Sequence, residues 1–450
     1  MNLIRHTITW GGLALLCTFA SPAQGAGFQI NEQSARSTGR GNAVIATTND
    51  PSAIWHNPAG LANVKGTAFE AGVTLIAPGN GYEGPGLVST NPSGDPVTGD
   101  LNSSPAFVPH VYGSYALSEM AVVGLGFYPS YGLGTEWEDG NRWVGRSQAE
   151  FTELRAFFFT PTVALKPVEW LNVAVGLQLV PATLVLEQTL GVTDGQDPSF
   201  GQILLPAADP SELDGRFKLA ASAFGVGATA GIQVEATENL RLGFVYRSAV
   251  NLDFDGEVDF TLPSNVPSTT AANFPDGSGS GSVTVPHTFG LGVGWVEEHW
   301  TLEAATQLTL WDSFEELRIN FDSGRPSAFT SEVREWNAVP MFRLGGEVRF
   351  GDFAGRAGVV YDLSPIPDET VEPGLPDGDR FNIAAGAGYT FGAFSVDLSY
   401  LAVILSSRDI PEEQAQPFNQ VVEGQTAFSF PGRFTGGVQH LVAASLRVRI

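Results

Sequence analysis

Phe342-Arg343-Leu344-Gly345-Gly346-Glu347-Val348-Arg349-Phe350-Gly351-Asp352 is the stretch that decides the fold. Phe342, Leu344, Val348 and Phe350 alternate with Arg343, Glu347 and Arg349, and a Gly-Asp pair closes the run. Successive side chains of a β-strand point to opposite faces, so this period sorts the apolar and charged sets onto two sides. The pattern returns in Phe394-Ser395-Val396-Asp397-Leu398-Ser399-Tyr400. It returns again at the end of the chain, where Phe434, Val438, Val442, Leu446, Val448 and Ile450 oppose Thr435, Gln439, Ser445, Arg447 and Arg449. A soluble β-sandwich shows the same period. A transmembrane β-barrel requires it, because an arginine or lysine facing lipid at mid-bilayer costs about 2–4 kcal/mol.

The spacing of the strands separates the two. Strand-like spans are read at 68–77, 107–117, 120–136, 151–167, 169–188, 214–236, 238–258, 282–297, 299–322, 332–351, 352–363, 379–391, 392–406 and 434–450. Six tight turns, near Ser118, Pro167, Thr237, Glu297, Gly351 and Gly392, alternate strictly with seven long linkers. Short turns on one rim and long loops on the other are the habit of outer-membrane barrels, which close an even number of strands. The expected fold is therefore an all-β, 14-stranded antiparallel transmembrane barrel with both ends at the periplasmic rim. The glycine- and serine-rich loops, including Gly277-Ser278-Gly279-Ser280-Gly281, read as mobile tips. Loops 78–106 and 189–213 are the expected outer landing groove.

The chain does not begin with a strand. Arg5 and His6, an apolar run from Ile8 to Ala20, and Ala23-Gln24-Gly25 read as a signal peptide, residues 1–25, cleaved after Gly25. The only cysteine, Cys17, leaves with it, so no disulfide is expected in the mature chain. Residues 26–66 carry no two-residue period. Asp50-Pro51 and Asn57-Pro58 each set a capping side chain before a proline suited to a first helical position. A polar segment this small buries no core of its own. The lumen of the barrel, 67–450, is its natural container.

The start Ala26-Gly27-Phe28-Gln29-Ile30-Asn31-Glu32, the triplet Asn57-Pro58-Ala59, the run Tyr131-Gly132-Leu133-Gly134-Thr135-Glu136, and Trp143, Gly145 and Arg146 resemble one family. It is that of the FadL-type transporters of long-chain fatty acids and hydrocarbons in Gram-negative outer membranes. The resemblance implies a barrel plugged by an N-terminal hatch, with Phe28 lining an internal pocket and Asn57, Pro58 and Ala59 forming the hatch motif. It implies an inward kink of the third strand at Gly132, beside Tyr131, that opens the wall sideways to the membrane. The implied substrate is a hydrophobic small molecule, most readily a long-chain fatty acid, with aromatic or aliphatic hydrocarbons as the alternative. In some members a basic residue near the end of the fifth strand receives the carboxylate. Val180-Pro181-Ala182-Thr183-Leu184-Val185-Leu186-Glu187 has none, which leaves Arg155, Arg247 and Arg343 as candidates by strand parity.

Other functions fit less well. A net charge of −25 leaves no basic face for nucleic acid. A hydrolase needs a serine and histidine together, and no Gly-x-Ser-x-Gly elbow or visible pairing is present. His110 and His440 fall inside strands, His299 beside a turn, and His56 reads as a hatch hydrogen bond. Asp253, Asp255, Glu257 and Asp259 alternate on one strand face, where they read as a solvated acidic end rather than a metal site. An open porin is argued against by the polar segment before the first strand. No cofactor is implied, and the expected state is a monomer in contact with outer-membrane lipids.

Overall fold

The computed structural model describes residues 27–84, 97–101, 105–138, 143, 145–146, 148–191, 214–264, 268–272, 274–322, 329–411, 421–422, 425–426 and 431–450. The expected signal peptide lies outside these residues, as do parts of the expected landing loops 78–106 and 189–213.

The wall is made of β1 (Thr67–Ala77), β2 (Ala106–Ser118), β3 (Ala121–Glu136), β4 (Phe151–Val168), β5 (Leu171–Gly191) and β6 (Asp214–Glu235). It continues through β7 (Leu240–Arg247 and Val250–Thr261), β8 (Gly277–Val285 and Thr288–Val296), β9 (Trp300–Thr309 and Glu316–Phe321) and β10 (Phe329–Val333 and Val339–Phe350). β11 (Phe353–Asp362), β12 (Arg380–Phe391), β13 (Phe394–Leu405) and β14 (Gly437–Arg449) complete it. Each strand pairs antiparallel with its sequence neighbours, and β1 pairs with β14 from Ala68↔Arg449 to Ala77↔His440. The ring is therefore a closed 14-stranded barrel with no free sheet edge to protect. A separate small sheet joins Gly81–Gly84, Val97–Asp100, Arg408–Ile410 and Gly432–Thr435 at the long-loop rim.

The alternation that suggested the barrel sorts as expected. Phe342, Leu344, Val348 and Phe350 are exposed on the outer face, while Arg343 and Glu347 are buried. Leu398 and Tyr400 point out, and Asp397 and Ser399 point in. Phe69, Tyr115, Trp170, Trp295, Trp300, Phe353, Tyr389 and Phe394 add exposed aromatics near the short-turn rim, as an aromatic girdle does.

Three expectations are corrected. First, β7 to β10 are not continuous: they break at 248–249, 286–287, 310–315 and 334–338. Pro286 has no N–H to give a ladder. At β7 the hydroxyl of Ser248 accepts from Ala228 N–H at 2.8 Å, in place of a backbone partner. The other two breaks turn Trp311, Phe314 and Trp336 inward, where all three are buried. Second, Gly277-Ser278-Gly279-Ser280-Gly281 is not a tip but strand, paired with Val258–Phe254. A Cβ on Gly279 would lie 2.6 Å from Val258 Cγ2, so the missing side chains permit the close pairing. Third, Phe434 does not share the outer face of the last strand; it is buried in the small sheet, because β14 starts only at Gly437. The acidic row behaves as read: Asp253, Asp255, Glu257 and Asp259 are exposed, while Val250, Leu252, Phe254 and Val258 are buried.

The segment before β1 folds into short pieces, α1 (Ala35–Thr38), α2 (Ala53–His56) and a 3-10 helix (Pro58–Asn63). Its side chains and backbone bond to Glu70 of β1, Ser445 and Arg447 of β14, Glu347 of β10, Glu303 of β9, Arg247 of β7, Ile232 of β6 and Pro129 of β3. Partners drawn from all round the ring place it within the bore.

Candidate functional site

The N-terminal segment meets the wall at β3. The β2–β3 ladder runs from Ser118↔Ala121 only as far as Val111↔Phe127. Beyond it β3 leaves β2, with a bulge between Pro129 and Tyr131 that leaves Ser130 unpaired to β4. Bulges bend and twist the strand that carries them. The freed edge of β3 is taken by the N-terminal segment: Ile30 N–H donates to Ser130 O and Gly132 N–H to Phe28 O, both at 2.9 Å, around the facing pair Gln29 and Tyr131. Gln33 Nε2 donates to Pro129 O as well. The wall closes again above, where Leu101 bridges Trp137. The strand bends at Pro129 and Ser130, just before Gly132. Gly132 faces the segment across this edge, and a Cβ there would come 3.0 Å from Ile30 Cδ1.

Local sequence explains the seat of Phe28. Gly27 has φ +60°, a left-handed conformation that glycine adopts without penalty. A Cβ on it would lie 2.8 Å from Trp311 and 2.9 Å from Trp336. Only a glycine lets the chain pass these indoles and turn the next ring among them. Phe28 is buried at 4.6 Å from Trp311, 5.8 Å from Trp336, 6.0 Å from Tyr131 and 6.1 Å from Phe314, mostly edge to face. Aromatic pairs prefer such tilted geometries.

Asn57 is fully buried and uses its whole amide. Nδ2 donates to Ile45 O at 2.8 Å and to Ile232 O of β6 at 3.1 Å, and Oδ1 accepts from Ala59 N–H at 3.2 Å. It thus caps the 3-10 helix that Pro58 opens and fastens the segment to the wall. Gly231 of β6 is what makes room: any Cβ there would collide with Asn57 Oδ1. Asp50 does not take the expected capping position, because α2 starts at Ala53 with Ser52 as its N-cap; its carboxylate accepts from Ser52 N–H at 3.1 Å and Ser52 Oγ at 2.6 Å. It also anchors an ionic chain: Arg36 lies 2.8 Å and Arg447 3.1 Å from Asp50, Arg36 3.3 Å from Glu347, and Arg356 2.7 Å from both Glu347 and Asp397.

Phe28 forms one wall of a cavity, partly open to solvent, in the half of the barrel nearer the long loops. Leu154, Leu184, Leu186, Phe217, Ile319 and Trp336 make much of the rest. Arg334 is the one basic side chain among the described lining residues. Its Nη2 lies 2.6 Å from Glu332 Oε2 and 2.8 Å from Glu372 Oε1. Glu372 belongs to the loop between β11 and β12, and burial pushes its carboxyl up to about 7 against the pull of Arg334.

None of the arginines expected by parity lines this cavity. Arg155 pairs with Glu153. Arg247 donates to Trp55 O and lies 4.5 Å over the Trp55 ring. Arg343 donates to Asn31 Oδ1 at 3.0 Å and Gln307 Oε1 at 3.3 Å. Arg334 escaped notice because it stands in the break of β10, where strand parity carries no information. The fifth strand contributes Leu184 and Leu186 to the cavity instead of a cation.

The histidines are structural. His56 Nε2 lies 2.6 Å from Ser37 Oγ, which is the expected hydrogen bond within the segment. His110 lies 3.1 Å from Ser445 Oγ. These are serine–histidine contacts that sequence reading did not see, since 335 residues separate the second pair. Both are buried and neither touches the cavity. Among the described residues no group of three or more His, Cys, Asp or Glu could hold a metal. Trp143 stacks on Trp137 at 4.0 Å and donates to Ala149 O at 3.0 Å, outside the cavity lining.

A family described as outer membrane protein transport protein (OMPP1/FadL/TodX) matches residues 16–437. The chain belongs to that family. It is 27% identical over 409 residues to the long-chain fatty acid transport protein of Escherichia coli K12, covering 85% of this chain and 89% of that one. It is 28% identical over 418 residues to the 47 kDa outer membrane protein of Pasteurella multocida, covering 90% and 92%. Its fold is similar to a Pseudomonas aeruginosa FadL homologue, with a TM-score of 0.75 and 20% identity over 94% of this chain and 100% of that one. The Pseudomonas putida toluene transporter TodX gives 0.65 and 16%, over 94% and 99%. Like the rest of the FadL/TodX family, the chain is an outer-membrane transporter of hydrophobic compounds and not an enzyme.

Proposed function

We propose that this FadL/TodX-family barrel takes up long-chain fatty acids by passive diffusion. Residues 26–66 act as its hatch, 67–450 as its barrel, and 1–25 as a leader removed before assembly. The observation that carries this reading is the cavity itself: an apolar chamber walled by Phe28, with a single arginine on its lining. An acyl chain in it recovers about 25 cal/mol per Å² of apolar area removed from water, and a carboxylate can pair with Arg334. From there the substrate leaves between β2 and β3. Tyr131 and Gly132 stand on the edge that Phe28 and Ile30 now cover, so the hatch motif Asn57-Pro58-Ala59 and the N-terminal strand gate one opening. Exit into hydrocarbon spares the ligand a return to water. The barrel works as a monomer among outer-membrane lipids.

Arg334 already faces two carboxylates, and this favours a second reading in which neutral aromatic or aliphatic hydrocarbons are carried. Binding of labelled oleate to the purified protein in detergent, with toluene as competitor, decides between them. Leu154→Trp, which fills the chamber, abolishes binding of both. Arg334→Met weakens oleate about tenfold or more, the scale expected for losing a buried charge-assisted pair, and leaves toluene unchanged. If Arg334→Met affects neither ligand and toluene displaces oleate completely at low occupancy, the hydrocarbon reading replaces the first.

A further inference from the structure

The lining of the cavity carries an uneven charge count. Arg334 is one cation; Glu332 and Glu372 are two carboxylates within 2.8 Å of its Nη2. A ligand carboxylate arriving there would be a third anion around one guanidinium, in a pocket whose other walls are mainly apolar. Like charges this close repel, the more so the lower the local dielectric. One of the resident carboxylates must give way.

Glu332 cannot do so easily. It lies two residues before Arg334 on the wall strand, in the piece Phe329–Val333 that pairs with β9. Glu372 comes from outside the wall. Its loop reaches into the mouth of the cavity, where Gly374 and Leu375 line the surface beside it. The loop is held by buried Ile366, Val371 and Leu375 and by polar contacts, among them Thr370 Oγ1 donating to Arg334 O at 2.8 Å and Trp137 Nε1 donating to Pro373 O at 3.0 Å. The tip itself is closed by a bridge between Glu372 and Leu375. Glu372 thus presents a carboxylate on a short flexible stem, above an apolar chamber, to the one lining arginine. A fatty acid bound in that chamber would present the same group in the same place.

We propose that Glu372 is a built-in stand-in for the ligand's headgroup, seated on Arg334 while the chamber is empty and displaced when an acid-headed ligand enters. This deepens the fatty acid reading above and rests on it. Two consequences follow from the geometry. Glu372 sets the discrimination between acid-headed and neutral ligands, because only the former compete for Arg334. Displacement also removes one of the contacts between loop 363–379 and the break of β10, while Thr370 Oγ1 to Arg334 O and Asn337 N–H to Pro365 O hold the rest of the loop in place.

The test compares oleate with methyl oleate, which has the same chain and no charge, on the full-length purified barrel. Glu372→Gln tightens oleate by about tenfold, equivalent to about 1.4 kcal/mol, and leaves methyl oleate within about twofold. Glu372→Asp, whose shorter stem holds Arg334 less well, gives an intermediate gain. Methyl oleate binding also certifies that each variant is folded. If Glu372→Gln binds oleate no better than the unaltered chain while methyl oleate still binds, the stand-in role is wrong and the cavity reading survives. If neither ligand binds the unaltered chain, or both still bind after Leu154→Trp fills the chamber, the cavity reading itself fails.

Discussion

At the scale of single residues, Asn57 holds the N-terminal segment with every polar atom of its amide paired. Asn57 spends two donors on Ile45 O and Ile232 O and its oxygen on Ala59 N–H. Replacing it with alanine strands the Ala59 N–H, worth about 1–3 kcal/mol when left unmet, and removes the side-chain donor from Ile232 O, while Ile45 O keeps Gln233 Nε2 at 3.2 Å. Asn57→Ala therefore loosens the 3-10 helix from β6. Hydrogen exchange at Ala59 and Gly60 should accelerate at least about tenfold, and uptake should fall. Unchanged exchange would mean the motif merely occupies space. The asparagine-proline pair was legible because its capping chemistry is local. The role of Gly231 was not, because its partner lies 174 positions away and only the folded barrel brings them together.

At the scale of elements, one part of the contact between segment and wall is a chain of ion pairs. Asp50 meets Arg36 of the segment and Arg447 of β14, and the chain continues through Glu347 and Arg356 to Asp397. Buried ion pairs add little over a well-packed apolar contact, but removing one partner costs about 3–5 kcal/mol by leaving charge uncompensated. Asp50→Ala leaves two arginines facing each other. In a planar bilayer the unaltered barrel is expected to show little steady conductance and the variant long, large openings; equal and low conductance in both would show that the network does not hold the segment in place. The wall strands were readable from the sequence because lipid outside and polar bore inside impose one period from Phe342 to Phe350. The cavity was not, because β9 and β10 build it by abandoning that period. Trp311, Phe314, Arg334 and Trp336 all sit in their breaks, where neighbouring residues no longer predict which way a side chain points.

At the scale of the whole molecule, one short stretch of the N-terminal segment covers the gap in the wall. β2 and β3 part at Val111↔Phe127, and Phe28 to Ile30 fill the place that β2 vacates. The same three residues line the chamber through Phe28 and cover the wall through Ile30, so on the proposed route a single displacement would open both. Gln29 and Tyr131 face each other as a non-hydrogen-bonded antiparallel pair, flanked by the two 2.9 Å bonds of their neighbours. Such pairs hold their Cα atoms about 4.5 Å apart, within reach of a disulfide. The only cysteine of the sequence is Cys17, in the expected leader, so an engineered pair has no competitor in the mature chain. The most direct measurement is uptake of labelled oleate by cells carrying the double variant Gln29→Cys, Tyr131→Cys, before and after reduction. Loss of uptake when oxidised, restored by reductant, is the predicted result. Full uptake with the disulfide intact would contradict a route through the wall beside β3.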